Sequence, residues 1–172
     1  LEHQPTAPQG LPTPESLPDF AARNAHLAEQ MGDWYSRPRP IDTRQIDIGQ
    51  LPPGVVPGPA DRFQVFWMRA DGSLPDDPVL HQCVLTYASD MSLLDTVTRP
   101  HDISFLDGTV MLASLDHAMW FHRPFRADDW VLYVQETPTA SSARGLARGL
   151  IYQNDNLVVS VVQEGLIRPL LQ

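Results

Sequence analysis

The stretch "ARGLARGLIYQNDNLVVSVVQEGLIR", residues 143–168, leaves this chain few folds to choose from. Alternating runs flank "QNDN", a natural hairpin turn, so two long strands should return antiparallel on one another. Side chains alternate faces along a strand, which puts Ala143, Gly145, Ala147, Gly149 and Ile151 on one side of the first run. That side is flat and small, and a helix can approach it closely. The opposite side carries Arg144, Leu146, Arg148, Leu150 and Tyr152, the mixture of a partly exposed surface. Upstream, "DRFQVFWMRA", "TVMLASLDHAMWFH" and "DWVLYVQETP" also read as strands by their aromatic and β-branched content.

The helix to cover this sheet lies in "GSLPDDPVLHQCVLTYASDMSLLDTV". Ser73 suits its cap, and the acidic, proline-tolerant first turn suits the positive end of the helix dipole. Val79, Cys83, Tyr87, Asp90 and Leu94 recur at steps of four and three. Four of them belong in a core, Cys83 as a small buried hydrophobe; Asp90 does not. The expected class is α+β, an antiparallel sheet packed on one central helix.

A chain of 172 residues suits one domain. Eleven of its 17 prolines precede residue 60, which marks that region as connector, because proline lacks the donor that strands need. Within it "PDFAARNAHLAEQMG" predicts one short helix, with Phe20, Asn24, Leu27 and Met31 on a stripe, Asp19 at the cap and Gly32 at the stop. The division expected is a linker over 1–39 and a packed domain over 40–172. No apolar run is long enough to span a bilayer, and the first residues from Leu1 have no leader pattern, so a soluble cytoplasmic protein is expected. The net charge of −9 and the absence of any basic cluster argue against nucleic acid. Arg123, Arg126 and Arg148 read as solvated surface charge rather than phosphate contacts.

The most crowded polar segment is "LDHAMWFHRPF", residues 115–125. In one continuous strand His117 and His122 point to opposite faces, and Asp116 and His122 stand roughly 20 Å apart, so no metal site is expected. Ser114 shares a row with Val110, Leu112, Asp116, Ala118 and Trp120. Gln163 sits on the row of Leu157, Val159, Val161, Gly165 and Ile167, where an unpaired amide costs about 1–3 kcal/mol. Asp90, on its apolar helical stripe, pays desolvation unless donors or water reach it. A carboxylate, a hydroxyl and an amide can position one water as a nucleophile if they meet in space.

The strings "YASDMSLL", "ASLDHAMWFHRPFRADDW", "SSARGLARGLIY" and "SVVQEGLIR" together resemble the C-terminal half of a type II acyl-CoA thioesterase, from about Arg69 to Arg168. The resemblance implies the second repeat of a double hotdog, each repeat a sheet wrapped around a helix, with the first repeat absent here. It implies that Asp90, Ser114 and Gln163 hold a hydrolytic water that splits fatty acyl-CoA into free fatty acid and coenzyme A, without metal or cofactor. It further implies a partner, either the missing repeat or another hotdog chain in a homo-oligomer. Two alternatives share the fold: a non-catalytic acyl-CoA-binding or scaffolding half, and an enoyl-CoA hydratase using Asp116 and His117. Strand parity, which separates those two side chains, disfavours the hydratase.

Overall fold

The computed structural model describes residues 1–103 and 108–170. Its centre is a seven-stranded antiparallel sheet: β1 (Ile41–Ile46), β2 (Phe63–Ala70), β3 (Val110–Ser114), β4 (Ala118–Phe121), β5 (Val131–Ser141), β6 (Arg144–Gln153) and β7 (Asn156–Pro169). The order is β1-β2-β5-β6-β7-β3, and β4 also pairs with β7, beside β3 on the same edge. The central helix, Pro78–Asp90, packs on one face of the sheet. The α+β architecture expected above is the one found.

Both long hairpins close through two-residue turns whose residues have positive φ: Asn154 and Asp155 between β6 and β7, Ser142 and Ala143 between β5 and β6. Asn and Asp tolerate that conformation, whereas alanine pays roughly 1–2 kcal/mol for the clash of its Cβ. Ala143→Gly is therefore expected to stabilise the protein by about 1 kcal/mol, seen as a rise of about 2–4 °C in a thermal melt.

The flat row on β6 does receive close neighbours. A Cβ built on Gly145 would lie 2.1 Å from Val97 Cγ1, and one on Gly149 would lie 2.2 Å from the Tyr133 ring. Val97 belongs to a short helical turn, Asp95–Thr98, that follows the central helix. Ala143, expected on this row, lies instead in the turn.

The helix differs from expectation in both its start and its face. It begins at Pro78, with Asp77 accepting the Val79 N–H as cap, so Ser73 lies outside it. The buried positions are His81, Leu85, Ala88 and Ser89. Val79 and Tyr87 are exposed, as is Cys83, so the stripe read from the sequence faces outward. Leu94, beyond the helix, is the one member of the stripe that is buried.

The proline-rich region is more than connector. Ala7 and Leu17 join Ile46, Val65, Leu132, Tyr152 and Leu157 in a second core on the sheet face away from the helix. Polar contacts pin this strap along its length: Leu157 N donates to Gln4 Oε1, Trp67 Nε1 to the Pro12 carbonyl, Trp130 Nε1 to Glu15 and Arg44 to the Leu17 carbonyl. The expected helix after it is broken into turns at Phe20–Arg23, Ala25–Leu27 and Ala28–Met31. Its caps stand where predicted: Asp19 accepts from Ala22 N, and Gly32 ends the last turn with φ 53°.

Candidate active site

The segment "TVMLASLDHAMWFH" is two strands, not one. Between β3 and β4 the chain swings away from the ladder at Leu115–His117. The Glu164 carbonyl of β7 accepts from both Leu115 N and Asp116 N, and the Asp116 carboxylate accepts the Glu164 N–H at 2.7 Å. Asp116 thus stands in for a missing strand partner, and the two-residue period no longer holds across the break. Ser114 and His117, assigned to opposite faces by parity, both come to the end of the central helix.

That end is firmly held. The Tyr133 hydroxyl donates to the Ser89 carbonyl at 3.3 Å, and burial raises its pKa. Gln135, fully buried on β5, donates to Ser92 Oγ and accepts from Thr96 Oγ1. Asp90 closes the helix, at the negative end of its dipole where an anion gains nothing from the helix. A carboxylate set against that local preference points to a role other than stability.

The structure brings Asp90, Ser114 and Gln163 together. Gln163 Nε2 donates to Asp90 Oδ1 at 2.5 Å, and Ser114 Oγ donates to the same oxygen at 3.3 Å. His117 Nδ1 lies 3.7 Å from it. All three neighbours converge on Oδ1, and Oδ2 has no partner among the described residues. Gln163 is completely buried, and with its N–H committed to Asp90 its Oε1 is a buried acceptor without a protein partner. Asp90 is half exposed, its side chain retaining 52% of its accessible surface, so both donors and solvent reach it. The helix face beside it is uncovered, so water reaches the carboxylate.

Parity places His117 on the face opposite Ser114 because the rule assumes an unbroken ladder. The break between β3 and β4 has only Asp116 as a turn-forming residue, and no Gly or Pro, to announce it. Asp116 is occupied by backbone and takes no part in the cluster. No group of three or more potential metal ligands occurs among the described residues. The three arginines considered for phosphates are each paired with acids: Arg123 with Glu2, Arg126 with Asp128 and Asp76, Arg148 with Glu136.

On the far side of the helix end a cavity of 230 Å³ is lined by Phe20, Met31, Trp34, Phe66 and Met91, with Asp95 at its wall. Burial pushes the Asp95 carboxyl up to about 6, only partly opposed by Arg99. Its value in the unfolded chain is near 3.9, so between about pH 4 and pH 6 the folded state keeps a proton that the unfolded state has lost. Stability due to this group is therefore complete below pH 4, falls across that window and is level above it. Asp95→Asn should be about 2 kcal/mol more stable than the parent at pH 7.5 and nearly equal at pH 4, measured by urea unfolding at the two values.

The profile of the family described as acyl-CoA thioesterase matches residues 54–166. The chain is 36% identical over 181 residues to acyl-coenzyme A thioesterase 8 of Mus musculus, covering 98% of this chain and 54% of that one. Among solved structures it is similar to the acyl-CoA thioesterase II TesB2 of Mycobacterium marinum, with TM-score 0.78 and 38% identity over 99% of this chain and 58% of the other. A hot dog fold protein of Alicyclobacillus acidocaldarius, 15% identical over 99% of this chain and 58% of that one, superposes with TM-score 0.64 and supports the fold alone. The chain spans about half the length of these proteins.

Proposed function

The chain belongs to the acyl-CoA thioesterase family, and we propose that it carries the hydrolytic centre of such an enzyme, splitting fatty acyl-CoA to a free acid and coenzyme A. The observation that supports this most is the convergence of an amide and a hydroxyl on one oxygen of a water-accessible carboxylate. With Oδ1 occupied, Oδ2 takes a proton from water held beside it. Gln163 and Ser114, both bonded to Oδ1, hold the carboxylate so that the water at Oδ2 turns its lone pair toward the thioester carbonyl. Water adds to that carbon, the carbon–sulfur bond breaks, and the thiolate recovers a proton to leave as coenzyme A. A thioester is electrophilic enough that this sequence needs no metal.

The assay is release of coenzyme A from a saturated acyl-CoA, run beside water addition to an enoyl-CoA. The first activity is expected and the second is not; an acyl-CoA-binding scaffold would show neither. The hydratase reading loses ground on a different basis from the one used for the sequence, since Asp116 is committed to Glu164 N.

Val79 and Tyr87 on the helix and Met111 and Trp120 on β3 and β4 are exposed apolar side chains, and β3 and β4 form one edge of the sheet. Such an edge ordinarily pairs or is covered. In our reading a second hotdog unit, either a preceding repeat or another copy of this chain, covers it and encloses the substrate. Size exclusion with light scattering should find an assembly larger than one chain, and a stable monomer would overturn that part of the reading.

A further inference from the structure

We propose that His117 is a positioning residue for Asp90, its Nδ1–H gripping Oδ1 and leaving Oδ2 turned to the water. The proposal rests on the reading of Asp90 as base and adds a fourth side chain to its site.

The assignment follows from how each hydrogen is used. Ser89 Oγ is fully buried and lies 2.9 Å from both the Thr86 carbonyl and His117 Nε2. A Ser89 hydroxyl that donates to Nε2 leaves the ring's proton on Nδ1. The remaining nitrogen, Nδ1, is buried, lacks a hydrogen-bond partner, and faces Asp90 Oδ1 at 3.7 Å. The opposite tautomer would set a lone pair against a carboxylate oxygen. With the proton on Nδ1 the same contact is a hydrogen-bond donor facing an anion, and bonds of that kind shorten as a site closes on its substrate. The groups facing the ring are Asp90 and Ser89 from the helix and Met119 from β4; the neighbouring Asp116 is turned to β7.

The two ring nitrogens can be tested separately. In His117→Asn the amide N–H falls near the place of Nδ1, beside Asp90; in His117→Gln it falls near that of Nε2, beside Ser89. If the contact with Asp90 is the functional one, His117→Gln and His117→Ala lose about tenfold to a hundredfold in kcat, the range for a charge-assisted hydrogen bond, with KM little changed. His117→Asn recovers most of that loss. If the ring only braces the 115–117 segment through Ser89, the order reverses and Gln outperforms Asn, which overturns the proposal. Equal, near-normal rates in both variants overturn it as well. Should His117→Ala fail to fold, the ranking of the Asn and Gln variants decides alone. An active Asp90→Asn would instead defeat the reading of the site itself. An inactive Asp90→Asn together with indifferent His117 variants would remove only the role of His117.

Discussion

Asp90→Asn will lower thiol release by about 10²–10⁴-fold, the usual loss when a positioned base is deleted. The substitution is close to isosteric. Its carbonyl can still accept from Gln163 Nε2 and Ser114 Oγ, the two donors now on Oδ1, so the cluster keeps its shape. What changes is the atom at the place of Oδ2, an N–H in the variant that cannot take a proton from water. The loss should therefore fall on kcat, with KM and melting temperature near those of the parent. Comparison of steady-state rates on one acyl-CoA with a thiol reagent checks it, and near-normal turnover would rule out Asp90 as base.

Gly145→Ala is expected to cost about 1–3 kcal/mol, the range for overpacking a filled core. The new methyl would lie 2.1 Å from Val97 Cγ1 and 2.8 Å from Ile167 Cδ1. Val97 is fully buried and, being β-branched, has few rotamers in which to give way. Relief must come from movement of the Asp95–Thr98 turn, which lies only a few residues beyond Asp90. Activity should therefore fall together with stability. Adding Val97→Ala removes the obstructing methyls, so the double variant should be more stable than the two separate losses predict. Urea unfolding of the four proteins in the cycle measures this coupling, and simple additivity would show that the clash is absorbed elsewhere.

What was legible in the sequence is local. Two-residue alternation and the turn residues in "QNDN" identify β6 and β7 because both signals lie within one hairpin. Asp19 and Gly32 mark helix ends by their own chemistry, even though the helix between them is broken. The outward stripe of the central helix was misread for a physical reason: periodicity reports that Val79, Cys83 and Tyr87 share a side but not what covers that side. An interface and a core look alike to it. The strap was missed because prolines that exclude strands do not exclude packing, and Ala7 and Leu17 reach the second core in extended backbone. Asp90, Ser114 and Gln163 stood out as polar residues among apolar ones. His117 could not, since its position depends on a break in hydrogen bonding created by Asp116 and a strand almost fifty residues away.

That break ties two properties of the molecule together. β3, the break and β4 together carry Ser114 and His117, which approach Asp90, and the exposed Met111 and Trp120. A substitution that closed the gap into a continuous ladder would withdraw the imidazole and reshape the exposed edge in one move. Under the proposed reading, any unit that covers this edge therefore sits on the same segment that shapes the site.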